Sequence, residues 1–150
     1  MATKKTSKTR HTAAKPAPQR ETTTAASKLA ALHRQHLPTL KAAATAVAET
    51  LGKSQLLRPG VIALHTGSAA GSVVMHCEKG GAKVALLQPG AEIPEPQIEV
   101  FGDPRRIAAI MRGEKDARMQ FFAGGIRVRG DMAYLSEIGM KLGFLDRPLL

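Results

Sequence analysis

The chain has 150 residues, a net charge of +10 and one cysteine, and these numbers limit what it can be. That length suits one domain with a real hydrophobic core. One cysteine excludes an intramolecular disulfide and a cysteine-pair zinc site. No apolar run reaches the about 18 residues of a membrane span, and the N-terminus lacks the apolar stretch of a secretory signal. We therefore expect a soluble, cytoplasmic protein.

The positive charge favours anionic partners such as lipid headgroups, nucleic acid or acidic proteins. Residues 1–24 hold six basic side chains against one acidic, and Met1 is their only large apolar residue. Ordering this segment would cost chain entropy with nothing to bury, so we predict a disordered basic tail over 1–24 that attracts anionic membrane surfaces. The folded domain is expected over 25–150. Trp is absent and Tyr134 is the only tyrosine, which argues against RNA or single-stranded DNA as the main target.

Two helices are predicted at the start of the domain. The first covers residues 25–36 with Ser27 near its start, and it ends before Pro38 because proline cannot donate an amide inside a helix. The second ends at Gly52, where a left-handed residue is expected. Its apolar positions share one face that should pack on a sheet: Leu40, Ala44, Val47, Ala48 and Leu51.

The middle of the chain changes to the two-residue period of strands. Short apolar and β-branched runs separated by glycines predict a three-stranded antiparallel meander, with Gly80 and Gly81 in a tight hairpin turn. The proline-containing stretch 89–96 is predicted to be a loop. Ile98 and Val100 then alternate with polar residues in a half-buried strand. The runs of the meander are 61–65, 73–77 and 82–87.

The last third alternates helix, strand and helix. Asp103 and Pro104 predict a helix start, with an N-cap acceptor and a proline at the first position, and Gly113 ends that helix. A short turn containing Ala117 precedes a last strand in which apolar residues alternate with Arg127 and Arg129. Asp131 caps a final helix bearing Met132, Leu135, Ile138, Leu142 and Leu145. This order predicts an α+β fold, a mainly antiparallel five-stranded sheet covered on one face by helices.

Three ordered segments, 98–103, 107–113 and 121–131, resemble the type-two sterol carrier protein family. In that family a strand feeds a helix ending in Gly, a Phe-containing turn reaches a Gly, and a strand of apolar and basic residues closes on Gly-Asn or Gly-Asp. The positions on this pattern are Phe121, Gly124, Ile126, Val128, Gly130 and Asp131. The resemblance is clearest over 98–145, and it departs from the family at Ala123, where many relatives have Gln.

The resemblance implies a sheet with an apolar tunnel beneath its helices, used to bind or transfer sterols, acyl chains or other lipids. Five of the six methionines lie in predicted ordered elements, where their adaptable thioethers suit either a deformable cavity or an ordinary core. We place the tunnel between the last two helices and the adjoining strands. The predicted lipid contacts are Ile107, Ile110, Met111, Met119, Phe121, Phe122, Ile126, Val128, Met132, Leu135, Ile138, Leu142 and Leu145.

Catalytic and metal-binding arrangements are weak in this sequence. His33 and His36 could face one metal ion, but no third ligand lies at a suitable spacing, so we expect a solvated face. His76 and Cys77 are neighbours on a strand and point to opposite faces, which excludes a nucleophile–base pair between them. We therefore expect no enzyme, no cofactor and no metal.

The leading hypothesis is non-catalytic binding or transfer of a sterol, fatty acyl or isoprenoid ligand. The alternative is an accessory scaffold of a lipid or quinone biosynthesis complex. A third hypothesis is nucleic-acid binding through the tail, with a steep dependence on salt. The sequence leaves the oligomeric state open.

Overall fold

The computed structural model describes residues 25–53, 58–67 and 69–149, and the predicted basic tail over 1–24 lies outside them. Helices and strands follow one another in an order close to the predicted one. The elements are α1 (Ala25–Lys53), β1 (Gly60–His65), β2 (Ser72–Glu78), β3 (Gly81–Leu87), β4 (Ile98–Gly102), α2 (Pro104–Met111), α3 (Ala117–Phe122), β5 (Ile126–Gly130) and α4 (Met132–Lys141).

A single helix, α1, stands where two were predicted, so the break expected at Pro38 is wrong. Pro38 lies on the exposed side of α1, where water can hydrogen-bond the carbonyl group left without an amide partner. The left-handed residue expected at Gly52 is also wrong, because Gly52 is helical. A Cβ there would lie 3.3 Å from the Gly81 backbone, so glycine permits the close approach of α1 to β3.

The strands form one sheet in the order β3-β2-β1-β4-β5. The predicted antiparallel meander of β1, β2 and β3 is confirmed, and β5 is antiparallel to β4. Only the β1–β4 pairing is parallel among these strands. The predicted α+β class with a mainly antiparallel five-stranded sheet is therefore confirmed. Residues 88–97 form the predicted loop, which carries the chain from the β3 edge past two strands to β4.

The pairing register separates the two faces of the sheet. Ile62 pairs with Met75 and Ile98, which places their side chains on the face that α1 covers. On the opposite face Arg127 and Arg129 are exposed, as predicted. The faces therefore differ in character: the inner one is apolar, and the outer one combines exposed arginines on β5 with the buried apolar pair Ala63 and Val74 on β1 and β2.

The outer face of the sheet holds a small polar cluster around Glu99. Arg129 and His65 both hydrogen-bond its carboxylate, and the ring of Phe101 stacks on His65 at 4.8 Å. Partial burial acts to raise the pKa of Glu99, but the hydrogen bonds from Arg129 and His65 outweigh it, so this pKa lies below its ordinary value. The charged and polar side chains of this cluster therefore serve as hydrogen-bond partners for one another.

Aspartates cap the three helices that follow β4. Asp103 accepts the backbone N–H of Arg105 at 2.8 Å and Asp131 accepts that of Tyr134 at 2.9 Å, which confirms both predicted helix starts. Asp116 caps α3 by accepting from Met119 at 2.8 Å. Side-chain oxygens at this position satisfy amides that have no partner inside the helix.

The final helix ends earlier than the sequence predicts. Leu142 is its C-cap residue and Leu145 lies beyond it, so the prediction that both belong to α4 is wrong. Gly143 adopts a positive φ of 76° and turns the chain back, and the amides of Phe144 and Leu145 both donate to the carbonyl of Gly139. Leu145 therefore still packs against α4.

The hydrophobic core joins α1, the inner face of the sheet and the later helices. The predicted apolar face of α1 is buried in it. Within the ranges that the structure describes, no helix combines the length and apolar character needed to cross a bilayer.

Candidate functional site

A cavity lies between the inner face of the sheet and the helices that cover it. Its volume is about 130 Å³. Well-packed interiors contain few voids larger than one water molecule, so this space is unusual for a core. Residues from α1, β1, β2, β4, α2, α3, β5, α4 and the segment after α4 line it, and nearly all are apolar.

The structure brings most of the predicted lipid contacts together around this cavity. Met119 and Phe122 are the two exceptions: they are 66% and 71% exposed and are not among its lining residues. A ligand-binding role remains a prediction for the whole set. The predicted residues that line the cavity are Ile107, Ile110, Met111, Phe121, Ile126, Val128, Met132, Leu135, Ile138, Leu142 and Leu145.

Several lining residues were not among the predicted contacts. Val47 and Leu51 come from α1, and the sequence placed both on a face that packs on a sheet without relating it to a cavity. The floor of the cavity comes from β1, β2 and β4. Its position depends on the parallel pairing of β1 with β4, which no local pattern in the sequence indicates. These floor residues are Ile62, Leu64, Met75 and Val100.

Helix α3 lies where the cavity meets the surface. Phe121 lines the cavity and is also 40% exposed. Arg118 stands one turn earlier and lines the cavity as well, and residues three apart share one side of a helix. The guanidinium carbon of Arg118 lies 5.8 Å from the centre of the Phe122 ring. The part of the lining that α3 supplies therefore includes the aromatic ring of Phe121 and the side chain of Arg118.

No group of three His, Cys, Asp or Glu side chains suited to a metal ion occurs in residues 25–53, 58–67 and 69–149. His33 is not on a solvated face as predicted, because its Nδ1 hydrogen-bonds the carbonyl oxygen of Thr66 and its Nε2 lies 3.7 Å from Asp103. The side-chain hydrogen bond from Arg105 is the main cause that lowers the pKa of Asp103 to about 2. His33 thus ties α1 to the end of β1 and the start of α2.

The single cysteine lies in the core beside Tyr134. Burial raises the pKa of the Cys77 thiol, which keeps it protonated and unreactive at neutral pH. Burial likewise raises the pKa of Tyr134, whose hydroxyl has no partner at hydrogen-bond geometry among the residues that the structure describes. The strand register places His76 on the opposite face from Cys77, as predicted, so these two side chains do not form a catalytic pair.

No protein-family model and no curated protein matches this chain. Among solved structures, the UbiJ-SCP2 ubiquinone synthesis protein is similar at 14% identity and a TM-score of 0.51, over 71% of this chain and 96% of that one. Sterol Carrier Protein 2 Like 2 of Aedes aegypti matches at 16% identity and a TM-score of 0.48, over 71% of this chain and 94% of that chain.

A third similar structure is the sec-alkylsulfatase Pisa1 of Pseudomonas sp., at 16% identity and a TM-score of 0.46. The match covers 59% of this chain and only 13% of the sulfatase, so this chain corresponds to a small part of that enzyme. The similarity to UbiJ-SCP2 concerns the arrangement of elements, since sequence identity is low. It shows that this chain has the sterol carrier protein 2 fold that the sequence resemblance implied.

Proposed function

We propose that this protein binds a hydrophobic ligand, a sterol, fatty acyl or isoprenoid lipid, in the cavity without changing it chemically. The apolar cavity between sheet and helices carries this proposal. Nearly all of the described residues that line it offer hydrocarbon contacts, and those residues include no pair of groups suited to acid–base or nucleophilic chemistry. Such a lining favours a ligand that is bound through the burial of its apolar surface.

Burial alone can supply enough affinity for a carrier. If a lipid buried about 400 Å² of apolar surface, the gross gain would be on the order of 10 kcal/mol. The loss of translational freedom and the ordering of the ligand reduce that gain. Micromolar binding corresponds to about 8 kcal/mol, which sets the scale that the net free energy has to approach.

Native mass spectrometry of the purified protein tests this proposal. We expect a co-purifying species whose mass, after solvent extraction, is that of a lipid, and we expect the stripped protein to bind a fluorescent fatty acid. Denatured protein is the control, because it has lost the cavity and should retain neither. A protein that carries no lipid and also fails to bind fluorescent fatty acid would contradict the proposal.

A second candidate function, an accessory scaffold in a lipid or quinone biosynthesis complex, is favoured by the exposed side chains of Met119 and Phe122. Both lie on α3 outside the cavity lining, and exposed apolar side chains that lie together mark contact surfaces. Affinity purification of the wild type and of the Phe122→Ser variant separates the two functions. A scaffold returns enzymes of lipid metabolism and loses them in the variant, whereas a carrier returns lipid alone.

We also propose that the basic segment 1–24 binds anionic membrane surfaces and that the protein is cytoplasmic. The charge of that segment suits anionic membranes, so we expect the full chain to bind vesicles containing phosphatidylserine and to dissociate as salt is raised. Deletion of residues 1–24 should abolish this binding while lipid uptake persists. Equal binding by the shortened chain would contradict a role of the segment at membranes.

A further inference from the structure

The side of α1 that faces away from the sheet carries two charged residues and otherwise short side chains. Exposed faces of helices usually present mostly charged and polar side chains to water. The exposed positions from 41 to 49 recur every three or four residues, so they share one side of the helix. They are Lys41, Ala42, Thr45, Ala46 and Glu49, and we call them the α1 surface.

Two open hollows lie along the α1 surface, and both are lined by Thr45 and Glu49. One of them extends towards Pro38, and the other lies against the hairpin between β2 and β3, where Gly80 and Gly81 line it. Because the hollows share two residues, they form one shallow groove along α1. Short side chains in such a groove allow a second helix axis to approach to about 8 Å, the lower end of the distances between packed helices.

The two charges of the α1 surface are placed symmetrically about Thr45. Lys41 lies four residues before Thr45, and Glu49 lies four residues after it. If two copies of α1 pack antiparallel with a twofold axis at Thr45, Lys41 of each copy faces Glu49 of the other. Among the residues that the structure describes, neither side chain forms a salt bridge within the chain, so both can form one with a partner.

A second copy of this chain is the partner that this charge pattern fits. A partner with charges of one sign, such as an anionic membrane or a nucleic acid, would be attracted by Lys41 and repelled by Glu49. A twofold dimer instead requires a surface that is complementary to itself, because the same patch serves both partners. We propose that this protein forms an antiparallel homodimer through the α1 surface, with salt bridges between Lys41 and Glu49 across the twofold axis.

The charges set the direction of the helices in this dimer more than they set its affinity. Exposed salt bridges contribute little to affinity, so most of the association comes from burial of the short side chains in the groove. A parallel pair would bring Lys41 next to Lys41 and Glu49 next to Glu49, and such like-charge contacts are unfavourable. Val47 and Leu51, which line the cavity, lie on the buried side of α1, so the dimer does not depend on the proposed lipid binding.

Sedimentation velocity of the full chain over a micromolar concentration series tests the dimer by charge exchange. The wild type should pass from monomer to dimer as its concentration rises. Lys41→Glu and Glu49→Lys each place like charges opposite one another, and each should raise the dissociation constant by at least about tenfold. An equimolar mixture of these two variants should form a heterodimer, because one variant carries two acidic side chains on the α1 surface and the other two basic ones. The double variant Lys41→Glu/Glu49→Lys should recover the homodimer.

Lys28→Glu is the matched control, since it makes the same change of charge at an exposed position of α1 outside the α1 surface. It should dimerise as the wild type does, and circular dichroism should show equal helix content in all variants. A wild type that stays monomeric throughout the series overturns the proposal. So does a dimer that persists unchanged in Lys41→Glu and Glu49→Lys, a loss of the dimer in Lys28→Glu, or a mixture of the two single variants that fails to associate.

Discussion

At the scale of single residues, Gly130 occupies a backbone position that side chains rarely adopt. Its φ is 120°, and a Cβ there would collide with the carbonyl oxygen of Gln97. We expect Gly130→Ala to lower the free energy of unfolding by at least about 1–3 kcal/mol, the cost of a strained backbone, with the collision adding to it. Urea unfolding followed by circular dichroism measures this loss.

Gly143→Ala provides the comparison for that prediction. Gly143 also has a positive φ, 76°, but nothing lies within 4 Å of the Cβ that alanine would add. Its substitution should therefore cost only the backbone strain, and less than Gly130→Ala. Equal losses in the two variants would show that the contact with Gln97 contributes nothing.

The carboxylate of Asp103 links stability to pH. Its pKa is about 2 in the folded protein, below the about 3.9 of an unfolded aspartate, so the folded state binds the proton less readily. The stabilisation from Asp103 is therefore complete above about pH 5 and is lost as the pH falls from about 4 through 2. We expect the difference in unfolding free energy between wild type and Asp103→Asn to narrow between pH 6 and pH 3.

Asparagine separates charge from capping, because it caps a helix as well as aspartate does. Asp103→Ala should lose about 1 kcal/mol beyond Asp103→Asn, and this additional loss should persist at both pH values. Unfolding by urea at each pH gives the three values. A gap between wild type and Asp103→Asn that stays constant with pH would contradict the lowered pKa.

At the scale of elements, α1 contains Pro38, which the helix accommodates but which does not stabilise it. Pro38 is exposed, and alanine there would restore a backbone hydrogen bond within the helix. Because proline in a helix costs about 3 kcal/mol and its stiffness in the unfolded chain offsets part of this, we expect Pro38→Ala to raise the free energy of unfolding by about 1–2 kcal/mol. Thermal unfolding measures the gain.

Thr39→Ala, at the next exposed position of α1, is the control for that gain. It changes intrinsic helix propensity but restores no backbone hydrogen bond, so its effect should stay within a few tenths of a kcal/mol. A Pro38→Ala variant no more stable than Thr39→Ala would mean that α1 gains nothing from the restored amide.

Local signals predicted the elements well where one side chain sets an end. Asp103 and Asp131 show this, because each cap depends on an aspartate oxygen and an amide two or three residues away. The prediction failed at Pro38 and Leu142. At Pro38 the helix continues although its buried face begins only at Leu37, because His33 and Arg34 hydrogen-bond backbone carbonyl groups of the 66–69 segment. At Leu142 the apolar pattern continued past Gly143, which ends the helix.

At the scale of the whole molecule, the sequence predicted one wall of the cavity but not its floor. Leu135 and Ile138, for example, lie three residues apart, a spacing that places both on one side of a helix. Ile62 and Val100 line the same cavity because β1 pairs in parallel with β4. Parallel neighbours are usually joined through a helix, and the loop 88–97 has none, so nothing local indicated this pairing.

The burial of the Arg118 Nη1 atom could not be predicted from the sequence either. An arginine in a short helix normally extends into solvent, and only the packing around α3 shows that Nη1 is buried. The exposure of Met119 and Phe122 was missed for a related reason. Helix α3 is only six residues long, too short for its apolar pattern to distinguish the inner side from the outer.

If the cavity accepts an apolar ligand, filling it with a side chain should prevent binding, and a matched pair of tryptophan variants measures this. Leu135→Trp places a large ring in the cavity, while Ala133→Trp places the same ring on an exposed position of α4 that does not line it. Thermal unfolding of both variants and the wild type is measured with and without decan-1-ol in excess. At about 100 times its dissociation constant, a ligand stabilises the folded state by about 2.7 kcal/mol.

We predict that decan-1-ol raises the Tm of the wild type and of Ala133→Trp by several degrees and leaves that of Leu135→Trp unchanged. An equal rise in all three proteins would place the ligand elsewhere, and no rise in the wild type would show that the cavity admits no guest.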